Sequence, residues 1–144
     1  NLDFAQVLDI LNQESGVLGI SRNFSSDFRE LKDAEIKYND QAALAREIFA
    51  YRVAKYVGSY AAAMNGVDNI VFTAGVGEND SDIRMEICSY LEYLGITIDE
   101  VKNRDEAEAF RISDGMSRVN VLVIKTNEEL EIAREAAEVA RMYH

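Results

Sequence analysis

Three short segments hold the residue types best suited to chemistry. The first is Gly75-Val76-Gly77-Glu78-Asn79-Asp80-Ser81. Its glycines let the backbone approach a ligand closely and take up positive φ. A helix starting just after them offers free N–H groups and the positive end of its dipole, which suits a phosphate. The run lacks the Gly-Lys-Ser/Thr of a Walker loop, and Asp80 replaces the third glycine of G-x-G-x-x-G. An ordinary tight turn, with Asn79, Asp80 or Ser81 as helix N-cap, explains the same residues.

The second segment is Lys125-Thr126-Asn127-Glu128-Glu129. Thr126 and Glu129 fit a capping box, which leaves Glu128 over. A carboxylate there suits Mg²⁺, which takes one or two carboxylates plus phosphates and waters. It equally suits a first-turn acid facing the helix dipole. The third is Ser25-Ser26-Asp27-Phe28-Arg29. Asp27 with Glu30 reads as a capping box, Phe28 as a core anchor and Arg29 as a surface charge. An aromatic and a guanidinium flanking a purine is the functional alternative. Other reactive residues point to structure. Cys88 lies mid-helix, His144 is terminal, Tyr51, Tyr56 and Tyr60 form a helix-packing stripe, and the acids of 99–108 form a solvated face.

The elements that position these segments follow from periodicity. Phe4, Val7, Leu8 and Leu11 mark one face of a first helix, with a turn over 17–20. A second helix starts near Ser25-Ser26-Asp27, and Asn39-Asp40 begins a third that ends at Asn65-Gly66. Ile70-Val71-Phe72-Thr73-Ala74 reads as a strand buried on both faces. A helix follows with Ile83, Ile87, Tyr90, Leu91 and Leu94 on one side, stopped by Gly95. Residues 110–113 suggest a short edge strand and Val119 to Ile124 a second buried strand. Thr126 then caps a last helix with Leu130, Ala133, Ala137 and Ala140 inward. Strand, turn, helix and strand in that order predict an α/β unit with parallel pairing. Two or three strands are few for a complete α/β domain.

Composition narrows the function. The chain has 144 residues, 26 acidic and 15 basic side chains and a formal charge of −11. Such a field disfavours nucleic acid and anionic membranes. One cysteine and one histidine build neither an internal disulfide nor a zinc site. No apolar run approaches a membrane span. The start at Asn1, without a signal peptide, suggests a processed or excised piece of a cytoplasmic protein.

Val71-Phe72-Thr73-Ala74-Gly75-Val76-Gly77-Glu78-Asn79 closely resembles the nucleotide-binding loop of acetate kinases. Val121 to Leu130, Gln13 to Ile20 and Ser25 to Arg29 resemble three further family segments, in the family's order and spacing. The resemblance covers essentially the whole chain. It implies the acetate and sugar kinase/Hsc70/actin superfamily, here as a partial actin-like, ribonuclease H-like ATPase domain, helix-rich with a small, mainly parallel sheet. It implies ATP + acetate ⇌ ADP + acetyl phosphate, or the propionate or butyrate analogue. Asp27, Phe28 and Arg29 would flank the adenosine. Gly75, Val76, Gly77, Glu78 and Asn79 would lie under the adenosine and phosphates, Ile83 would wall the adenine pocket, and Glu128 would position Mg²⁺ through water. Residues 1–144 would be the C-terminal part of the second domain, without an internal boundary, of a cytoplasmic homodimer. The family's acetate pocket and catalytic arginines, aspartate and histidine lie upstream of these segments. No catalytic residue is therefore expected here, and the chain alone is expected to be inactive. A non-catalytic nucleotide-binding or dimerisation module is the alternative. Lys125 stands where the family often has proline.

Overall fold

The computed structural model describes residues 2–104 and 109–142. Part of the acidic run of 99–108, and His144, lie outside them.

Three strands, β1 (Asn69–Phe72), β2 (Ala109–Arg111) and β3 (Asn120–Ile124), form one sheet in the order β1-β3-β2. β1 runs parallel to β3, with Ile70 opposite Val121 and Phe72 opposite Val123. β2 is antiparallel to β3. The sheet is therefore mixed rather than mainly parallel as expected, and the edge strand expected over 110–113 spans Ala109–Arg111. Ile70, Phe72, Val121 and Val123 turn one face onto the core. Val71 on the other face stays 48 % exposed. The expectation of a strand buried on both faces is corrected, because β1 alternates buried and exposed as a one-sided strand does.

Eight α-helical segments surround this sheet or precede it among the described residues. α1 (Phe4–Asp9) is capped reciprocally by Asp3 and Gln6, then runs into a π-helical turn over Ile10–Glu14. The apolar side chains Phe4, Val7 and Leu8 of α1, and Leu11 of the π-helical turn, are exposed. α2 (Gly16–Ile20) replaces the expected turn over 17–20, because Gly16 alone supplies the reversal, at φ 62°.

α3 (Phe28–Ile36) and α4 (Asp40–Ala63) begin at the predicted caps, Asp27 and Asn39. α4 buries Ala42, Ala45, Ala50, Ala54 and Ala61, and these small side chains let it lie closely on its neighbours. It packs on α3 and on α6 (Ser81–Ser89). Ala50 and Ala54 join Ile83, Ile87, Cys88 and Leu91 of the α6 segment over the sheet. Tyr51, Tyr56 and Tyr60 project outward rather than forming a packing stripe, because the alanines occupy the inward face. Asn65 and Gly66, both at positive φ, end α4, and Gly95 at φ 81° ends the turn after α6. α5 (Ala74–Asn79) lies between β1 and α6, and α7 (Glu100–Asn103) precedes β2.

α8 (Glu128–Met142) closes the described chain. Leu130, Ala133, Ala137 and Ala140 do not form a buried inner face, since none of the helix's residues is buried. Local terms support it instead: acids in its first turn, Arg141 in its last, and a sequence rich in alanine and glutamate. No described helix is long and apolar enough to cross a membrane.

Gly95 gives a direct test of local strain. A Cβ there would come within 2.7 Å of Arg118 Cδ, on a backbone at φ 81°. Gly95→Ala is expected to lower stability by more than about 1 kcal/mol, read as a lower urea midpoint at unchanged slope.

Candidate functional site

The end of β1 is where the fold concentrates polar groups. After Phe72 the chain does not form an open glycine loop but the single helical segment α5. The positive φ expected of Gly75 or Gly77 falls on Ala74, at 57°, and neither glycine adopts it. Gly77 serves close packing instead: a Cβ there would meet the Phe72 carbonyl carbon at 3.4 Å. Gly75 has open space around it. Gly75→Ala is therefore expected to stabilise the chain by about 0.5–1 kcal/mol, as helix propensity dictates, while narrowing the cavity it lines. A rise in melting temperature would check this.

Three devices fix α5 in place. Glu78 Oε1 accepts from Ala74 N at 2.7 Å, from Thr126 N at 2.8 Å and from Thr126 Oγ1 at 2.9 Å. These bonds hold its carboxyl below the usual range, the Thr126 N–H contributing most. Arg84, buried, donates from Nη1 to the carbonyls of Gly77 at 2.9 Å and Glu78 at 2.8 Å. It also donates from Nε to Asn103 Oδ1 at 2.9 Å and from Nη2 to the Asn103 carbonyl. Asp80 caps α6 by accepting from Ile83 N at 3.2 Å.

Because Thr126 is bound to Glu78, it does not cap α8. Asn127 does so, its Oδ1 accepting from Leu130 N at 3.0 Å, and the expected Thr126–Glu129 box is not the cap. Glu128 lies exposed in the first turn of α8.

A cavity of about 640 Å³ opens between α3 and this segment. Asp27, Phe28, Arg29 and Lys32 line one wall; Gly75, Val76, Asn79 and Asp80 line the other. Phe28 packs on Phe49 with ring centroids 4.5 Å apart. Asp27 accepts from Arg29 three times: N at 2.8 Å, Nε at 3.1 Å and Nη2 at 2.6 Å. Its own N–H donates to Ser25 Oγ at 2.9 Å, so the expected box with Glu30 is replaced by Ser25. Thr73 makes no side-chain capping bond to the first turn of α5, whose residues Gly75 and Val76 face the cavity.

Most of the expected site residues thus converge on one cavity, across more than forty intervening positions. Glu78 and Gly77 act from behind the wall. Glu78 instead lines a smaller cavity of about 200 Å³ with Arg84 and Arg104. Ile83 is 1 % exposed and belongs to the main core beneath the wall. Sequence reasoning missed Lys32, Arg46 and Arg84. Lys32 Nζ sits 2.7 Å from Asp82 and 3.8 Å from Asp80. Arg46 bonds Asp80 at 2.6 Å. The available signal was an arginine on an otherwise apolar helical face: Arg46 between Ala42 and Ala50, Arg84 between Ile83 and Ile87.

Asp27 predicts a pH dependence. The Arg29 side chain, then the Arg29 N–H, draws its carboxyl down to about 2. Its folded value lies below the ordinary 3.8, so its stabilising contribution is complete above 3.8 and is lost as pH falls through about 2. Carboxyl chemical shifts followed by NMR titration should place Asp27 near the lower value.

The sequence matches the family model described as "Acetokinase family" over residues 1–134. It is 56 % identical over 138 residues to the acetate kinase of Carboxydothermus hydrogenoformans, covering 96 % of this chain and 34 % of that protein. Identity to the Thermotoga maritima acetate kinase is 53 % over 136 residues, covering 93 % and 34 %. The fold is similar to the crystal structure of Porphyromonas gingivalis acetate kinase, with a TM-score of 0.85 and 43 % identity over 96 % of this chain and 35 % of that one. It is also similar to a propionate kinase from Francisella tularensis, with a TM-score of 0.82 and 42 % identity over 93 % and 34 %. The chain spans about a third of the length of these relatives. On the family match and this degree of identity, the chain belongs to the acetokinase family.

Proposed function

We propose that this chain is the C-terminal, nucleotide-binding portion of an acetate kinase, the parent catalysing ATP + acetate ⇌ ADP + acetyl phosphate. The observation that carries the reading is the shared cavity: Asp27-Phe28-Arg29 and Gly75-Val76-Asn79 form opposite walls of one space. In this reading Phe28 and Arg29 flank the adenosine, and Gly75 and Val76 of α5 face the phosphates, the Ala74 N–H being taken by Glu78. Arg29 and Lys32 offset the cavity's own carboxylates, Asp27 and Asp80, so its lining carries no net negative charge within a chain of charge −11. Glu78 and Arg84 keep α5 fixed, so little reorganisation accompanies binding.

Magnesium fits the donor set narrowly. Among the described residues no cluster of three or more metal-ligating side chains exists. Glu78 and Asp80 are engaged by donors in the protein. Glu128 does not line the cavity and offers one exposed carboxylate, which would serve an ion that takes its remaining ligands from phosphates and water. When bound, the ion neutralises phosphate charge. The protein's own part is to position the nucleotide, and phosphoryl transfer depends mostly on such positioning and on stabilising charge. No arginine here matches the family's catalytic pair, so the isolated chain is proposed to bind without turnover. The likeness to a propionate kinase leaves the acyl group to residues outside this chain. A homodimer belongs to the same reading, supported by the exposed apolar side chains of α1 and α4, and a cytoplasmic location is proposed with the family reading alone.

The test is titration calorimetry with Mg·ADP. Saturable one-to-one binding is expected, weakened roughly tenfold by Glu128→Ala with Mg²⁺ present and unaffected by it in EDTA. Equal weakening in EDTA would remove the metal role. Acetyl phosphate trapped as hydroxamate above a blank without protein would contradict the absence of turnover.

A further inference from the structure

The floor of the cavity contains a buried ion pair that nucleotide contact does not require. Arg46 is 3 % exposed and Asp80 6 %. Arg46 Nη1 donates to Asp80 Oδ2 at 2.6 Å and to the Phe28 carbonyl at 3.4 Å, and Nη2 donates to Asp80 Oδ1 at 3.4 Å. Its Nε lies 2.7 Å from Glu35 Oε2. One guanidinium from α4 therefore touches both walls: Phe28 and Glu35 belong to α3, Asp80 to the junction of α5 and α6. The other cross-wall ion pairs among the described residues are those of Lys32 with Asp80 and Asp82, on the more exposed side.

A buried ion pair is a weak device for stability, because desolvation offsets most of the Coulomb attraction, and apolar residues of similar volume serve a core as well. What an apolar pair cannot do is hold a carbonyl on one wall and a carboxylate on the other with a single rigid fork. We propose that Arg46 is a positioning residue for the cavity, setting the separation of the Asp27–Arg29 wall from the Gly75–Asp80 wall. The affinity for a nucleoside diphosphate spanning both walls then depends on it. The ligand in this proposal rests on the nucleotide reading; the geometry does not.

The decisive variant is Arg46→Met combined with Asp80→Asn. Asparagine keeps the α6 cap, the Arg46 charge is removed together with its Asp80 partner, and Arg84 keeps its bonds to Gly77, Glu78 and Asn103, so the fold should survive. Its melting temperature is expected within a few degrees of the parent's. Its Kd for Mg·ADP is expected to rise on the order of tenfold. Amide exchange should quicken at Leu31, bonded to the Asp27 carbonyl at 3.0 Å, and at Asp80, bonded to the Val76 carbonyl at 3.0 Å, while β3 is unchanged. Arg46→Lys keeps a charge but not the fork, and should fall between the two in Kd. A double variant with the parent's Kd and the parent's exchange rates would overturn the proposal. If the parent itself binds no Mg·ADP, the nucleotide reading fails by itself, and the exchange rates decide the positioning role by the same criterion.

Discussion

Asp80→Ala is expected to destabilise the chain by about 3–5 kcal/mol, the range for breaking a buried pair by removing one partner. The substitution deletes the α6 cap on Ile83 and leaves the Arg46 guanidinium buried with Glu35 as its remaining carboxylate partner. Equilibrium urea unfolding at neutral pH would show a lower midpoint at unchanged slope. Asp80→Asn keeps the cap and should lose less. The pH dependence has a definite sign. Burial pushes the Asp80 carboxyl up, but the bond from Arg46 and the Ile83 N–H together outweigh it and hold it below the ordinary 3.8. Its contribution is therefore complete above 3.8 and is lost as pH falls toward the lower folded value. The acid limb of stability should be shallower in Asp80→Ala than in the parent.

Arg84→Ala is the second large effect, on the order of 3 kcal/mol, because charged hydrogen bonds are lost and their acceptors are left without them. Gly77 and Glu78 would lose the donor that pins the end of α5, and Asn103 would be tied to α6 only through its bond to the Ser81 carbonyl at 2.8 Å. Burial lowers the Arg84 pKa, which marks a charge held by carbonyl and amide oxygens rather than by a carboxylate. Two readouts separate its roles. Stability should fall in urea, and amide exchange over 74–79 should quicken more than over β3. If exchange rose uniformly, Arg84 would support the core and not α5 in particular.

The parts of the fold legible in the sequence are those set by local chemistry. Asp27, Asn39 and Asn65-Gly66 bound their helices as their types dictate. β1 and β3 pair in parallel because a crossover containing α6 joins them. Long-range competition for groups decided the rest. Thr126 looks like a cap from its neighbours, yet Glu78, 48 residues away, claims both its donors. The glycines at 75 and 77 suggest an open loop, but Glu78 and Arg84 close the segment into a helix and pass the positive φ to Ala74. The tyrosines of α4 have the right spacing for packing, and the alanines beside them take the inward face. Of the site itself, both walls were legible as motifs, whereas the arginines that fix them were not, since Arg46 and Asp80 are 34 positions apart.

The Asp27–Arg29 and Gly75–Asn79 segments are proposed to hold the same nucleotide. The most direct measurement is a Mg·ADP titration of the isotope-labelled chain followed by backbone amide shifts. Residues 27–29 and 75–79 should move together along one saturation curve, with a single Kd, and α8 beyond its first turn should stay still. Movement of one segment alone, or different midpoints for the two, would contradict a shared nucleotide site.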